Sequence, residues 1–136
     1  MKTLIPYINF HGQCEQALAF YCQCFNGEVV AMMRFGDADF PSPEEAKDKI
    51  LHAEFKAGGV HFMASDGMPG HIPQHGENIT LNIALDDEAE QTAIFQALAQ
   101  GGQITEPLKE AFWGARFGML VDRFGIRWMS NCMKPQ

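Results

Sequence analysis

Hydrophobic and polar residues alternate most regularly near the end of the chain, between Phe112 and Cys132. One side of this stretch carries Trp113, Ala115, Phe117, Met119 and Val121, and the other carries Gly114, Arg116, Gly118, Leu120 and Asp122. A period of two residues is typical of a β-strand with one buried face. Asp122 to Gly125 then predicts a turn, after which alternation resumes. The pattern predicts a β-hairpin that needs partner strands and helices to bury its apolar face.

Shorter alternating runs and two helical patterns fill the rest of the chain. Strand character is found in Leu4–Phe10, Glu28–Phe35, Ile50–Lys56, Val60–Ser65, Ile79–Leu85 and, at its beginning, Gln103–Thr105. Apolar residues at helical spacing predict a helix over Cys14–Phe25 that stops at Gly27. A second helix is predicted to begin at Asp87 and to stop at Gly101-Gly102. Between the two halves, the stretch from Asp66 to Asn78 is rich in proline and glycine and indicates a linker.

The two halves of the chain repeat one unit. Glu15, Gln16, Phe20 and Gly27 recur 75 residues later as Glu90, Gln91, Phe95 and Gly102, and Gly59 and Met63 recur 66 residues later as Gly125 and Met129. The simplest explanation is a βαβββ module that is present twice. We therefore predict an α+β fold with modules over residues 1–66 and 79–136, joined by a linker over residues 67–78 within one structural domain.

Composition and charge exclude several classes of function. The chain has 136 residues, and 17 acidic against 10 basic side chains give it a net charge of −7. Such a charge repels phosphate backbones and anionic lipid, so we expect neither a nucleic-acid partner nor a membrane partner. The first residues lack the pattern of a secretory signal. The cysteines Cys14, Cys22, Cys24 and Cys132 form no disulfide framework, so a reducing compartment, the cytoplasm, is predicted.

Three segments together resemble one known family. They are Pro6–Phe10 ahead of a helix containing Ala17–Tyr21, the sequence Trp113–Arg116, and the run from Asp122 to Trp128. With the tandem modules, they are similar to the PhnB-like branch of the vicinal oxygen chelate superfamily, which also contains glyoxalase I, extradiol dioxygenases and bleomycin-resistance proteins. The resemblance implies that each module curls its mixed sheet into half of a cup, with the helices outside and a ligand cavity inside. It also implies a homodimer, in which modules can be exchanged between chains.

The resemblance further implies a divalent metal, held by His, Gln or Glu on the first and last strands of each module. In this chain those positions fall near Ile5 or Tyr7, Met63, Thr80 and Met129. Thioethers are poor ligands for hard divalent ions, so we predict no metal and no other cofactor. A second candidate set is His52 and Glu54 on one strand with His61 on the next, as a metal site or an acid–base pair. A solvated strand face is the simpler explanation of these three residues.

Strand parity selects the residues that would line the cavity. Opposite the helix-packed positions it places Tyr7, Asn9, Thr80, Asn82, Arg116, Arg127 and Asn131, with Trp113 or Trp128 near an edge. These amide, hydroxyl and guanidinium groups suit a small ligand that is part apolar and part anionic. Arg116 is the predicted anchor for the anionic group.

Three functions fit the sequence. The first is metal-free binding of a small molecule by a dimeric PhnB-like protein, and the second is metal-dependent lyase, isomerase or dioxygenase chemistry. The third is a structural partner protein without a cavity. The chain has no P-loop, no G-x-S-x-G elbow and no G-x-G-x-x-G after a strand, so NTPase, hydrolase and dinucleotide functions have no support. The sequence leaves open which ligand is bound and whether any reaction is catalysed.

Overall fold

The computed structural model describes residues 1–39 and 41–133. The chain divides into two compact units, Met1–Gln74 and His75–Gln136. Each unit contains one long helix and one four-stranded sheet of mixed direction. The predicted α+β fold with two βαβββ modules is confirmed. No helix among the described residues is long and apolar enough to cross a membrane.

The first unit is built from one helix and four strands. The elements are β1 (Tyr7–Asn9), α1 (Cys14–Phe25), β2 (Glu28–Arg34), β3 (Ile50–Ala57) and β4 (Val60–Ser65). The strand order is β1-β4-β3-β2, with β1 parallel to β4 and the other pairs antiparallel. The segment between β2 and β3 contains two short 3-10 turns, at Phe35–Asp37 and Glu44–Ala46.

The second unit repeats this arrangement. Its elements are β5 (Leu81–Leu85), α2 (Glu88–Ala99), β6 (Gln103–Glu110), β7 (Ala115–Val121) and β8 (Arg127–Met133). The strand order is β5-β8-β7-β6, and only the β5–β8 pair is parallel. The same order in both units gives the sequence repeat a structural basis.

Aromatic side chains form the core of the first unit, between α1 and the sheet. The rings of Phe55 and Phe62 stack with their centroids 4.8 Å apart, and Tyr21 meets Phe62 edge-on at 5.6 Å. All three side chains are buried. Aromatic pairs in these geometries add to the stabilisation that comes from burying their surface. The apolar stripe predicted for the first helix is therefore the stripe that packs on the sheet.

A buried carboxylate closes the predicted hairpin in the second unit. Asp122 accepts hydrogen bonds from the Phe124 and Ile126 backbone N–H groups, at 2.8 and 3.1 Å, and from the Trp128 indole N–H at 2.8 Å. Gly125 adopts a φ of 85°, which side chains rarely allow, as the turn prediction requires. Asp122 thus satisfies both the turn backbone and the one polar atom of a buried tryptophan.

Both helices are followed closely by a left-handed residue and then by a glycine. Asn26 and Gly101 occupy equivalent positions and take left-handed backbone conformations, with φ of 53° and 77°. The glycine that follows each of them has no room for a side chain. A Cβ on Gly27 would lie 2.6 Å from the Phe55 ring, and a Cβ on Gly102 would lie against the Val121 carbonyl oxygen. Gly27 and Gly102 recur because the chain presses against its own sheet at this point.

One strand is longer than its sequence pattern predicts. The pattern indicated only the beginning of this strand, at Gln103–Thr105, whereas β6 continues to Glu110 and includes Pro107. A proline removes one backbone donor, which a strand tolerates at the edge of a sheet. β6 is such an edge strand, and its register against β7 shifts on both sides of Glu106. The edge position explains why Pro107 does not end the strand.

Candidate functional site

Each sheet has one face covered by its helix and one face turned away from it. In the first unit, Phe62 and Ala64 of β4 are buried on the helix side. Because side chains alternate along a strand, the residues between them lie on the opposite side. We call that side the first open face, and it carries Tyr7, Asn9, His52, Glu54, His61, Met63 and Ser65.

Two polar pairs lie on the first open face. The Tyr7 hydroxyl and His52 Nδ1 share a hydrogen bond of 3.1 Å, and the two rings lie 5.7 Å apart. Glu54 Oε2 and His61 Nε2 are 2.5 Å apart, in a half-buried ion-pair geometry. The structure therefore brings together two members of the predicted His52, Glu54 and His61 set and joins the third to Tyr7.

A pocket of about 310 Å³ has Tyr7, one member of the first pair, in its wall. It is lined by Tyr7, Asn9, Phe35, Leu51, Ser65, Gly67, Met68, His71 and Pro73. Four of these residues belong to the predicted linker, and the sequence pattern gave no sign that they line a pocket. The lining combines apolar side chains with phenol, amide and imidazole groups. None of the described lining residues carries a carboxylate, although the net charge of the chain is −7.

The corresponding side of the second sheet, the second open face, carries different chemistry. Its residues are Asn82 and Ala84 of β5, Phe117 and Met119 of β7, and Met129 and Asn131 of β8. The Asn131 amide Nδ2 donates to Asn82 Oδ1 at 2.8 Å. Trp113, in the turn before β7, meets Phe117 edge-on at 5.3 Å and is 46% exposed. Four predicted ligand-binding residues, Asn82, Asn131, Trp113 and Thr80, thus lie on or next to this unit's face, with Thr80 immediately before β5.

The two open faces occupy equivalent positions in the repeat. Tyr7 pairs with Met63 between β1 and β4, and Asn82 pairs with Met129 between β5 and β8. These pairs are related by the offsets of 75 and 66 residues that the sequence repeat shows. The modules therefore share a backbone frame and differ in the side chains that they present on it.

The predicted position of Arg116 is wrong. Its guanidinium lies on the helix side, where it donates to Thr92 Oγ1 at 2.8 Å and to Gln91 Oε1 at 3.2 Å. Across the β7–β8 hairpin, Phe117 is the partner of Asn131, and Arg116 is the partner of the buried Cys132. Residues of even number in this hairpin therefore face α2. Arg116 connects β7 to the helix and does not lie on the open face.

Arg127 has the predicted strand parity, but its guanidinium has partners within the second unit. It donates to the Glu77 carboxylate at 3.2 Å and to the Gly76 carbonyl at 3.3 Å. Both acceptors belong to the predicted linker. Arg127 therefore ties the end of that segment to β8.

The residues at the family's metal positions do not fit a hard divalent ion. In the first unit the first and last strands present Tyr7 beside Met63. In the second unit the predicted position, Thr80, lies just before β5, and the β5 residue beside Met129 is Asn82. Mg²⁺, Mn²⁺ and Zn²⁺ need carboxylate, imidazole or thiolate donors, and two of these side chains are thioethers. In residues 1–39 and 41–133, no three His, Cys, Asp or Glu side chains are placed to hold a metal ion together. We derive no chemistry through a metal at these positions.

A second, more charged pocket of about 410 Å³ lies near the start of α1. In its wall the Arg34 guanidinium binds both oxygens of Glu15, at 2.8 and 3.0 Å, and the Asp48 carbonyl at 2.6 Å. The hydrogen bonds from Arg34 lower the pKa of Glu15. Lys49 donates to the Gly12 carbonyl at 3.2 Å. The charged groups of this pocket mainly join α1 to the segment that precedes β3.

Three of the four free cysteines have raised pKa values and are not prepared as nucleophiles. Burial, with smaller contributions from Asp66 and Glu15, raises the pKa of Cys14 to about 12. Burial is also the main cause of the raised pKa values of Cys22 and Cys132. Because the thiolate is the reactive form, these three cysteines are structural residues.

The chain is similar to known proteins over almost its whole length. A family model described as 3-demethylubiquinone-9 3-methyltransferase matches residues 2–130. The YjdN protein of Escherichia coli strain K12 is 31% identical over 144 residues, which cover 98% of this chain and 97% of YjdN. The crystal structure of PA1353 from Pseudomonas aeruginosa is 39% identical, with a TM-score of 0.87 over 99% of this chain and 100% of that chain.

Two further solved structures connect the chain to the wider superfamily. A putative 3-demethylubiquinone-9 3-methyltransferase, PhnB protein, from Bacillus cereus is 28% identical, with a TM-score of 0.80 over 96% of this chain and 99% of that chain. A glyoxalase-related enzyme from Fulvimarina pelagi is 17% identical, covers 97% of this chain and 88% of its own, and has a TM-score of 0.62, which shows a shared fold alone.

Paired βαβββ modules, each with a helix on one face of its sheet, define a protein of the glyoxalase fold. More narrowly, this chain belongs to the family described as 3-demethylubiquinone-9 3-methyltransferase, in the PhnB-like branch of the vicinal oxygen chelate superfamily. The resemblance inferred from the sequence is confirmed.

Proposed function

We propose that this protein binds a small molecule, part apolar and part anionic, on the first open face and without a metal ion. The pocket of about 310 Å³ beside the Tyr7–His52 pair carries this proposal. Its volume is typical of a site for a small ligand. Phe35, Leu51 and Met68 supply apolar surface for one part of such a ligand.

Hydrogen bonding favours an anionic group on the ligand. Asn9 and His71 can each donate to an oxygen anion, and Tyr7 can do so when His52 Nδ1 is the donor in the hydrogen bond that they share. The described lining residues contain no carboxylate that would repel the anion. A charge-assisted hydrogen bond is roughly twice as strong as a neutral one. The lining is therefore better suited to an anion than to a cation, in a chain whose overall charge is negative.

The methyltransferase name of the family is not part of the proposal. Folds that bind a nucleotide cofactor usually place a glycine-rich turn after the first strand of an open parallel sheet. Each sheet here has a single parallel pair, and the segment after β1 reads Phe10-His11-Gly12-Gln13. The proposal therefore includes no nucleotide cofactor.

The test uses hexanoate, which is part apolar and anionic, and hexanol, its uncharged analogue. We expect calorimetry to show tighter binding of hexanoate than of hexanol. We expect Tyr7→Phe, which keeps the ring and removes one donor to a charged acceptor, to weaken hexanoate binding about 10-fold. Asn78→Ala, outside the pocket, is the matched control and should leave the affinity unchanged.

Two results would contradict the proposal. One is equal binding of hexanoate by the unchanged protein and by Tyr7→Phe, which would place the ligand elsewhere. The other is a stoichiometric divalent metal retained after dialysis and lost in His52→Gln, which would favour the metal-dependent lyase, isomerase or dioxygenase alternative.

A further inference from the structure

Three connecting segments of the first unit enclose a further pocket of about 310 Å³. They are the segment after β1, the segment between β2 and β3, and the segment after β4. None of the described lining residues belongs to a strand, so this pocket, which we call the loop pocket, is not part of the open face. Its titratable side chains are His11, Glu45, Lys49 and Asp66.

The loop pocket holds two charges of opposite sign that do not neutralise each other. Glu45 and Lys49 are both exposed, and neither takes part in an ion pair with another described residue. Their neighbours Glu44 and Lys47, which lie outside the pocket, bind each other at 3.0 Å. The pocket therefore presents one carboxylate and one ammonium group, each without an ionic partner in the described part of the chain.

Backbone contacts fix the other polar groups of the loop pocket. The Lys49 ammonium donates to the Gly12 carbonyl at 3.2 Å, which holds it at the wall and leaves two of its three hydrogens for a ligand. The buried Asp66 uses both of its oxygens to accept backbone N–H groups, at 2.8 and 2.7 Å. Asp66 is therefore a structural residue, and Glu45 is the carboxylate that a ligand can reach.

We propose that the loop pocket binds an α-amino acid with an apolar side chain. Such a ligand carries a carboxylate and an ammonium group on one carbon, so it can accept from Lys49 and donate to Glu45 at the same time. Phe35, Ala46 and the exposed Met68 supply apolar surface for its side chain, and methionine adapts its shape to a ligand. The volume of the pocket is typical of a site for a small ligand.

The experiment compares leucine with isocaproate, which lacks the ammonium group, and with isoamylamine, which lacks the carboxylate. Because isocaproate can also enter the first pocket, binding is followed by the NMR signals of the Gly12 and Gly70 amides, which line the loop pocket and not the first pocket. We expect leucine to move both signals and to leave that of Gly58, in the β3–β4 turn, unchanged. Each analogue should bind about 3- to 10-fold more weakly, because it lacks one charged contact at an exposed site.

Variants assign each charge of the ligand to one side chain. Lys49→Gln keeps a donor for the Gly12 carbonyl and removes the positive charge, so we expect it to weaken leucine and isocaproate about 3- to 10-fold and to leave isoamylamine unchanged. Glu45→Gln should weaken leucine and isoamylamine by a similar factor and leave isocaproate unchanged. Glu44→Gln and Lys47→Gln are the matched controls, because both residues lie outside the pocket, and should change none of the three affinities.

Three results would overturn the proposal. One is equal affinity for leucine and both analogues, and another is equal weakening of leucine binding by Glu44→Gln and Glu45→Gln. The third is leucine binding that leaves the Gly12 and Gly70 signals unchanged. If hexanoate binds in the first pocket and leucine does not bind, the function proposed above stands and the amino-acid site is excluded.

Discussion

At the scale of single residues, the Glu15–Arg34 pair joins α1 to the end of β2. Arg34 binds both carboxylate oxygens and, being an arginine, can do so in a planar two-pronged geometry. The hydrogen bonds from Arg34 lower the pKa of Glu15 from its ordinary value of 4.5. A lowered pKa in the folded state means that the pair stabilises the fold fully above about pH 4.5. That contribution is lost as the pH falls through the lowered value.

Removing the guanidinium should return Glu15 to an ordinary carboxyl group. We expect Arg34→Gln to raise the pKa of Glu15. The stability of this variant should also fall less steeply with decreasing pH than that of the protein without substitutions, because the variant has no Glu15–Arg34 pair to lose. The pKa is measured by NMR titration of the Glu15 side chain, and the stability by urea unfolding at several pH values. Lys47→Gln, which breaks the exposed Lys47–Glu44 pair, should not change the pKa of Glu15. An unchanged titration of Glu15 in Arg34→Gln would contradict this cause.

Residue types and strand parity predicted the positions of some side chains in the candidate site correctly and those of others wrongly. Tyr7 and Asn9 line the first pocket, as predicted, because both lie on the same side of the short strand β1. Arg116 was misplaced because the length of the hairpin turn decides which residues become partners, and the sequence pattern alone did not fix that length. Asp66 gave no local signal, yet its two oxygens accept from the Cys14 and Ile50 backbone N–H groups. Such contacts join positions far apart in the sequence.

At the scale of helices and strands, the repeated stop after each helix is a packing requirement. A Cβ on Gly102 would lie against the Val121 carbonyl oxygen and 2.8 Å from the Asp122 Cα. Both neighbours are backbone atoms of the β7–β8 hairpin, which cannot rotate away as a side chain can. Relief of the clash needs a shift of the helix end or of the hairpin.

We expect Gly102→Ala to destabilise the fold by about 3 kcal/mol, the upper end of the usual cost of overpacking. The measurement is the free energy of unfolding in urea, with circular dichroism as the signal. Gly59→Ala is the matched control, because no atom lies within 4 Å of a Cβ at that turn position. It should change the free energy of unfolding by less than about 0.5 kcal/mol. Equal effects of the two substitutions would show that close packing does not explain the glycine at residue 102.

Periodicity predicted most of the elements because most of them have one buried face. The α1 helix repeats its apolar residues on the side that packs on the sheet. The hairpin alternates as predicted, but the side that faces α2 carries Gly118, Leu120 and Asp122, and the side with Phe117 and Met119 is the open face. Edges were harder to predict, since β6 is mostly exposed and has little periodic burial to detect. The linker residues that line the first pocket were missed for the same reason. Met68 and His71 are exposed, and their place in the pocket depends on the tertiary fold.

At the scale of the whole molecule, the equivalent edge strands β2 and β6 differ in how strongly their sequences oppose pairing with another chain. β6 carries Pro107 and several charged residues, which discourage pairing with another chain. β2 has no charged residue between Glu28 and Arg34, and Val30, Met32 and Met33 are 44%, 47% and 45% exposed. An exposed, apolar edge strand can pair with another chain. In the homodimer that the family resemblance implies, a second copy of the chain would cover β2.

The prediction is therefore that two copies of the chain associate through β2. Met32→Lys places a charge on this strand, and we expect it to weaken self-association at least 10-fold, because an unpaired charge in an apolar contact loses its hydration. Sedimentation velocity over a range of concentrations measures the dissociation constant. Ile104→Lys makes the same kind of change on β6, where the residue is 44% exposed, and should leave self-association unchanged. If the protein without substitutions sediments as a monomer at every concentration, the homodimer is ruled out. If the two copies associate through β2, only Met32→Lys should weaken self-association. Equal weakening by Met32→Lys and Ile104→Lys would therefore mean that the contact does not lie at β2.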